Sequence, residues 1–345
     1  MLYLYTLQLE KLEKKGYKLY MNQIKPMLLT TLKSYDRSQF VKDVTAGIIV
    51  AIIALPLSIA LALASGVGPQ AGIFTAIVAG FVISAFGGSN VQIAGPTAAF
   101  ATIVAGIVAK DGLDGLVIST ILAGIFLILM GLCHFGSLIK FIPYTITTGF
   151  TSGIAVTIVI GQLKDFFGVT YPNGLKPIET MEKLNAFALG FSSFHVDALI
   201  VGGVSLAILI ISPYIFKRIP GSLIAVVIGI LMVKFLPLHV STIGNLYTIT
   251  NDLPSFHIPA AKFSMVKSAI PNAFTIAVLA AIESLLSCVV ADGMINGKHR
   301  SDTELVAQGL GNIASALFGG IPATGAIART AANIKNGGRT PVAGM

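Results

Sequence analysis

The chain has 345 residues, of which 54% are hydrophobic and only 11% are charged. Soluble domains carry about 25% charged residues, so this composition excludes an ordinary soluble protein and indicates a membrane protein with several spans. The net charge of +8 does not require nucleic acid as a partner, because eight of the 23 lysines and arginines lie between residues 11 and 42, ahead of the first apolar stretch. Such a cluster is typical of a segment on the cytoplasmic side of a membrane.

We interpret residues 1–43 as a cytoplasmic N-terminal arm. Residues 1–20 are polar and basic and contain no apolar stretch followed by a small-residue cleavage site, so they do not form a signal peptide. Either Met1 or Met21 is the start of translation.

Crossing a bilayer whose apolar core is about 30 Å thick takes about 20 apolar residues in a helix. Eight stretches are long enough, and we predict spans at 44–65, 70–87, 113–135, 141–161, 196–216, 221–238, 270–291 and 304–320. Two interrupted segments, 91–109 and 321–336, raise the number of membrane segments to ten. The predicted fold class is therefore an all-α polytopic membrane protein with two interrupted segments, each a short strand followed by a half-helix.

In the first interrupted segment, an extended stretch gives way abruptly to a helix. Residues 91–94 fit an extended chain, and Gly95-Pro96 then prevents a helix from passing through, because Pro96 lacks a backbone donor and disfavours a helical conformation at the residue before it. Thr97 fits a helix start. A half-helix that begins at Thr97 is the predicted result.

The second interrupted segment repeats this plan. Phe318-Gly319-Gly320 matches Phe86-Gly87-Gly88, and Thr330-Ala331-Ala332 matches Thr97-Ala98-Ala99. Broken helices are tolerated at membrane depth only where protein or a water-filled cavity satisfies the freed backbone groups. Two breaks at corresponding places in two halves of a chain are typical of the substrate site of a transporter. The positive ends of the two half-helices would attract an anion there.

Loop charges predict the orientation. The outer loops balance seven lysines against seven acids, whereas the inner loops and the segment after the last span carry Lys140, Lys217, Arg218, Lys298, Arg300, Lys335 and Arg339. The N-terminus is therefore predicted in the cytoplasm and the protein in the cell (inner) membrane.

The second half begins near Pro271 and repeats the order of segments in the opposite direction, which predicts an inverted repeat. A complete repeat needs about four more spans, so we expect a fragment.

Six motifs occur together and in order from about residue 38 to the end of the chain. They are Phe40-x-x-Asp43-x-x-Ala46-Gly47 leading to Ala54-Leu55-Pro56, Gly87-Gly88-Ser89-x-x-Gln92-x-x-Gly95-Pro96-Thr97, Ile282-Glu283-Ser284-Leu285-Leu286-Ser287, Asp292-Gly293-Met294, Glu304-Leu305-x-x-Gln308-Gly309-x-x-Asn312 and Gly320-x-Pro322-Ala323-Thr324-Gly325-x-Ile327-Ala328-Arg329-Thr330. This pattern resembles the sulfate-permease (SulP) family of inorganic anion transporters.

The resemblance implies about fourteen segments in two inverted halves, divided into a core domain that carries the substrate and a gate domain against which it moves. In this chain, residues 44–139 would form the first core repeat, 140–269 part of the gate, and 270–345 the start of the second core repeat. Family members usually end in a cytoplasmic STAS domain, and we expect a membrane-domain fragment without one. The resemblance also implies a homodimer.

The implied function is secondary active transport of an inorganic anion, with sulfate as the leading substrate, by symport with a proton or sodium ion or by anion exchange. Bicarbonate, a dicarboxylate or an anion channel are the alternatives, and a nucleobase carrier of the same general fold is a weaker one. No enzyme activity, cofactor or metal is predicted, because the sequence has no nucleophile–histidine pairing, phosphate-binding loop or metal-ligand spacing.

The predicted anion contacts lie chiefly at the second break. Arg329 would add positive charge to the site, unless it serves only as an electrostatic partner for Glu283 or as an anchor at the inner surface. The neighbouring backbone groups belong to Ala326, Ile327 and Ala328.

Further predicted contacts come from the first half of the chain. Thr97 would offer a hydroxyl and an amide, a role compatible with an ordinary helix cap. Gln92 would contact the anion or orient the extended segment, with simple packing as an equal alternative. Ser58 is included because many family members have Gln directly after the proline of the first span, where this chain has Leu57-Ser58.

Glu283 is interpreted as the only acid well inside a predicted span, where a charge costs about 2.5 to 3.5 kcal/mol even on translocon scales. In the resembling family an acid here belongs to the ion-coupling site. We predict that Glu283 carries a proton or holds a cation together with Ser287, one turn away. The alternative is a position near a helix end or a pairing with a packing neighbour. Three inner-loop residues are interpreted as a solvated turn: Asp292, His299 and Asp302.

Overall fold

The computed structural model describes residues 24–141, 144–175, 177–216, 221–248, 252–259 and 263–345. The predictions for residues 1–23 of the arm, including both candidate start methionines, and for the basic pair Lys217-Arg218 lie outside the described residues.

The described part is built mostly from helices. They are α1 (Met27–Thr31), α2 (Arg37–Ala64), α3 (Pro69–Phe86), α4 (Ala101–Leu132), α5 (Tyr144–Phe166), α6 (Thr180–Gly190), α7 (Val196–Ile215), α8 (Gly221–Phe235), α9 (Ile243–Leu246), α10 (Phe263–Ile295), α11 (Ser301–Leu317) and α12 (Ile327–Lys335). Two short strands, β1 (Ala94–Gly95) and β2 (Thr324–Gly325), lie at the two predicted breaks. Five helices in the described ranges, α2, α3, α4, α7 and α10, are long and apolar enough to cross a membrane. The predicted all-α membrane fold is confirmed.

α4 contains two helices joined at a kink. Gly112 has φ 71° and ψ −170°, a conformation that is outside the helical region and that glycine adopts at little cost. The half-helix at residues 101–111 and the span at residues 113–132 therefore remain separate elements, as their separation in sequence predicted.

α2 presents one face of small residues to the interior. Its N-terminus is capped by the Asp36 carboxylate, which accepts a hydrogen bond from the Gln39 amide at 2.6 Å. Pro56 lies inside the helix without ending it. From Ala46 onward the buried residues recur every four positions, at Ala46, Val50, Ala54, Ser58 and Ala62.

Glycines allow the core helices to approach closely. A Cβ atom added at Gly309 of α11 would overlap the Gly124 carbonyl of α4, and one added at Gly72 of α3 would overlap the Ser58 carbonyl of α2. Small residues at such contacts let membrane helices pack through their backbones. The core that results lies between α4, α10 and α11, and it holds Phe100, Val104, Leu127, Ile276 and Leu305.

The loop between α10 and α11 differs from the sequence prediction of a solvated turn. The His299 ring nitrogen Nδ1 lies 2.7 Å from an oxygen of Asp292, and the His299 side chain is only 7% exposed. Asp302 lies 2.7 Å from Nδ1 of His134 and accepts a hydrogen bond from the Gly136 amide. Asp302 is held by the segment that follows α4, and Asp292 pairs with His299 of the loop itself, so these three side chains have protein partners where the prediction had water.

Gly72 and Gly153 test the role of close packing, because both lie within helices but differ in what surrounds them. A Cβ at Gly153 meets no atom within 4 Å among the described residues, whereas one at Gly72 overlaps backbone. Gly72→Ala is expected to lower the free energy of unfolding by roughly 1–3 kcal/mol, and Gly153→Ala to leave it unchanged or slightly raised. Thermal unfolding of both purified variants in detergent measures the difference, and equal destabilisation would contradict it.

Candidate anion-binding site

The two helix breaks pair directly with each other. β1 and β2 run antiparallel, with Ala94 opposite Gly325 and Gly95 opposite Thr324. The Ala326 amide extends the pairing by donating to the Ile93 carbonyl at 2.9 Å. The starts of the two half-helices therefore meet at one place inside the core.

α12 is fastened along the first break by three of its side chains. Thr330 Oγ1 accepts a hydrogen bond from the Ile93 amide at 3.0 Å, and Asn333 donates to the Val91 carbonyl at 2.9 Å. Nη2 of Arg329 donates to the carbonyl of Pro96. The extended chain of the first break thus has side-chain partners instead of water for its polar groups.

The second break is held mainly by α11 and α3. Asn312 donates to the Ala323 carbonyl at 2.8 Å and accepts from the Ala323 amide at 2.9 Å. Thr75 Oγ1 accepts from the Ile321 amide at 2.7 Å. Such pairing is what permits irregular backbone at membrane depth.

Arg329 is the charged group closest to the paired breaks. It is only 3% exposed, and its Nε and Nη1 atoms have no hydrogen-bond partner among the described residues. The guanidinium lies against Gly95, where an added Cβ would be 2.5 Å from Nη1. Glycine at this position therefore makes room for a buried cation that retains unused donors.

The amide groups at the start of α12 differ in availability. The Ala326 amide is already used by the Ile93 carbonyl. The next three amides, those of residues 327–329, belong to the first turn and have no acceptor within their own helix. Ala328 is exposed and Ile327 is partly exposed, so this end of the helix is open on one side. Of the predicted backbone contacts, those at Ile327 and Ala328 are thus freer than that at Ala326.

Glu283 is a residue of α10, and it lies across from Arg329 of α12. Its carboxylate accepts a hydrogen bond from Thr97 Oγ1 at 2.8 Å, and the residue is partly exposed. Glu283 and Arg329 are close enough to interact electrostatically. Thr97 makes no side-chain cap, so an ordinary cap is not its role. The Ser287 hydroxyl contacts Thr330 Oγ1 at 3.4 Å, which directs it toward α12.

Gln92 is held behind the paired strands. Its amide nitrogen donates to Ser284 Oγ at 2.8 Å and to Glu304 Oε1 at 2.7 Å, and its oxygen accepts from the Cys288 thiol at 3.0 Å. An added Cβ at Gly325 would overlap this amide. Because both ends of the amide have protein partners, the geometry favours the packing interpretation of Gln92 over a contact with the anion.

Glu304 is a second buried acid, and sequence reasoning missed it. It is 1% exposed and accepts hydrogen bonds from the Gly88 amide and from Gln308 Nε2, each at 2.9 Å, as well as from Gln92. It lies in the first turn of α11, at the first residue of the predicted span 304–320, so it does not contradict the prediction that Glu283 is the only acid well inside a span. The signal was present: Glu304 and Gln308 are four residues apart and face the same side of a helix.

Ser58 lies apart from these contacts. It is fully buried on the inner face of α2, and its hydroxyl has no hydrogen-bond partner within the described ranges. Its contact with an anion stays a prediction.

The chain is similar to known proteins in both sequence and structure. The model of the sulfate permease family matches residues 40–345. The chain is 44% identical to "Putative sulfate transporter YvdB" of Bacillus subtilis (strain 168) over 91% of its own length and 59% of that protein's. It is 34% identical to the "Bicarbonate transporter BicA" of Picosynechococcus sp. (strain ATCC 27264 / PCC 7002 / PR-6), over 88% of the chain and 55% of that protein. The chain thus spans little more than half the length of these two relatives.

Two solved structures share the fold. The transmembrane domain of a cyanobacterial bicarbonate transporter BicA superposes with a TM-score of 0.78 at 32% identity, covering 90% of this chain and 80% of that one. The overall structure of SLC26A9 gives a TM-score of 0.80 at 20% identity, covering 96% of this chain and 56% of that one. The second likeness shows the fold alone.

Thr330 tests whether the fastening of α12 to the first break matters. Thr330→Val keeps the shape of the side chain but leaves the buried Ile93 amide without its acceptor, which should cost about 1–3 kcal/mol of unfolding free energy. Thr330→Ser keeps the hydroxyl and should cost less. Unfolding of the two variants in detergent compares them, and a valine variant as stable as the serine variant would contradict this role.

Proposed function

The chain belongs to the sulfate permease family, and from that premise we propose that it carries the substrate site of a secondary anion transporter. The anion binds where the two half-helix starts meet, and it crosses the membrane by alternating access of the core against the gate. The observation that carries the proposal is the buried Arg329 guanidinium, with two unused donor atoms, beside the paired breaks.

An anion suits this place for two physical reasons. The first-turn amides of a helix carry a partial positive charge and accept an anion without further groups. A buried cation is costly without a partner, and a bound anion would supply acceptors to Nε and Nη1 of Arg329. The exposed Ala328 and partly exposed Ile327 give access from one side.

Glu283 is proposed as the coupling group. Its carboxylate is partly exposed, lies opposite the arginine and is hydrogen-bonded to Thr97 of the first half-helix. A proton or a sodium ion on Glu283 would reduce repulsion of the incoming anion, which is a direct route to symport. Ser287 would assist from the next turn, although its hydroxyl now contacts Thr330. Anion exchange is the alternative mode.

Sulfate is the proposed substrate, in keeping with the relative of 44% identity whose name specifies sulfate. Bicarbonate is the second candidate, because the proteins named as bicarbonate transporters match in both sequence and structure. A dicarboxylate, channel activity and nucleobase transport are weaker alternatives. The protein is proposed to lie in the cell membrane with a cytoplasmic N-terminus and to form a homodimer. Uptake of labelled sulfate, bicarbonate and succinate into proteoliposomes, with and without proton or sodium gradients, tests substrate and coupling together.

Arg329 is expected to matter more for binding than a cation of equal charge nearby. Arg329→Gln removes the charge at the proposed site, whereas Lys335→Gln removes one that is exposed at the end of the same helix and screened by water. We expect at least roughly tenfold weaker sulfate binding for the first variant, equivalent to losing one charge-assisted hydrogen bond, and little change for the second. Isothermal titration of the purified variants measures both. Equal losses would show a general surface effect and refute the site.

Glu283→Gln is expected to leave the fold intact and to uncouple transport. The neutral side chain can still accept from Thr97 but cannot carry a proton or a full negative charge. Uptake driven by a proton or sodium gradient should fall, while the binding of sulfate should persist. Gradient-driven uptake that equals the parent protein would exclude this role for Glu283.

A further inference from the structure

The described part of the arm before the first span is docked on one end of the core. The Met27 amide donates to the Gly87 carbonyl at 2.8 Å, and Thr31 Oγ1 donates to Asn90 Oδ1 at 3.1 Å. The arm is therefore held in place against the loop that follows α3.

Arg300, in the loop before α11, holds the same arm from another side. Its Nη1 donates to the Lys25 carbonyl at 2.6 Å, and its Nη2 donates to Thr30 Oγ1 at 3.1 Å. Two separate loops of the core thus fix the orientation of α1. A segment fixed in this way presents a defined outer side.

The side of the arm that faces away from the core carries both apolar and basic residues. Leu29 is 51% exposed and Leu32 is 49% exposed, and Lys33 follows directly. On the first turns of α2, Phe40 and Val41 are also exposed, at 48% and 57%. Because α2 is a membrane-spanning helix, these side chains lie where the span leaves the bilayer.

The same end of the core collects the exposed cations of several elements. They come from the arm, the start of α2, the loop between α10 and α11, and the end of α12: Lys33, Arg37, Lys42, Lys298, Lys335 and Arg339.

The acids at this end do not balance these cations. Asp36 is exposed, but Asp43 is fully buried and accepts hydrogen bonds from Tyr35 and Thr340. Asp292 and Asp302 are each paired with a histidine. A strongly positive rim therefore surrounds the docked arm.

We propose that this rim, formed by the docked arm, the start of α2 and the end of α12, binds the headgroups of anionic phospholipids. Lysine and arginine side chains extend toward phosphates while leucine and phenylalanine enter the boundary between headgroups and acyl chains. Juxtamembrane basic residues gain from the negative potential of an anionic leaflet. An acidic soluble protein would use the cations, but it would leave the apolar side chains next to the span unexplained.

The proposed lipid binding is independent of the transported anion, and it rests on the proposed cytoplasmic placement of this end, because the cytoplasmic leaflet carries the negative surface potential. It also assigns a role to Arg300. This arginine makes no headgroup contact of its own and acts by keeping the arm, with its leucines and Lys33, on the bilayer surface.

Lipid retention tests the proposal without any transport assay. The protein is purified in mild detergent, and native mass spectrometry counts bound phosphatidylglycerol against phosphatidylcholine in an equal mixture. The test variant is Lys33→Gln with Arg37→Gln and Lys42→Gln. The matched control removes three lysines on the elements at the opposite end, with Lys110→Gln, Lys164→Gln and Lys234→Gln.

The parent protein and the control should prefer phosphatidylglycerol, and the test variant should lose that preference by roughly tenfold or more, given the electrostatic contribution of each basic residue near an anionic surface. Equal loss in both variants, or no preference in the parent protein, would overturn the proposal. So would equal competition by soluble poly-glutamate, because that outcome favours an acidic protein partner. If the triple variant unfolds, a second variant that carries only Lys33→Gln and Leu29→Ser gives the same comparison.

Discussion

The fold depends on one constraint, that the polar backbone groups freed by a broken membrane helix must find partners in protein or in a water-filled cavity. The chain breaks two helices and meets the constraint by pairing the breaks with each other, through the short strands β1 and β2. The remaining groups are satisfied by side chains, chiefly Asn312 of the neighbouring helix α11 and Asn333 of the second half-helix, α12. Buried asparagines in a membrane core are otherwise costly, and here they replace the water that an extended chain would need.

The polar groups around the breaks fall into two classes. Behind the strands, Gln92 and Glu304 have partners for nearly all their hydrogen-bonding atoms, so they fix the backbone. In front, the first-turn amides of α12 and two donor atoms of Arg329 have none in the described residues. Because the polar groups of the first class already have protein partners, the unpaired donors of the second class mark the place where binding a ligand would be favourable.

Much of the fold followed from sequence because it rests on local rules. Pro96 stops a helix whatever its neighbours are. Runs of about 20 apolar residues predict spans in the same way, without reference to the rest of the fold. The partners of individual side chains did not follow. Thr97 was read as a site hydroxyl compatible with an ordinary cap, but it donates to Glu283, which is 186 residues away in sequence. The periodicity of a sequence predicts which side of a helix is buried, but it does not show which groups of other elements that side contacts. The partners of Glu304 were missed for that reason.

The two halves repeat in backbone but not in side-chain chemistry. Thr97-Ala98-Ala99 and Thr330-Ala331-Ala332 begin matching half-helices, yet Thr97 donates to a carboxylate and Thr330 accepts from the backbone of the opposite break. The fastening side chains described on the first break all come from the second half-helix, while the first break contributes backbone carbonyls, the Ile93 amide and the glycine that accommodates Arg329. A symmetric pair of breaks therefore gives an asymmetric site: Arg329 lies on the second half-helix, whereas Thr97 at the start of the first donates to the Glu283 carboxylate of α10. Such asymmetry suits the proposed mechanism, in which Arg329 would bind the anion and Glu283 would carry the coupling ion, because two chemically identical halves would offer the same group to both.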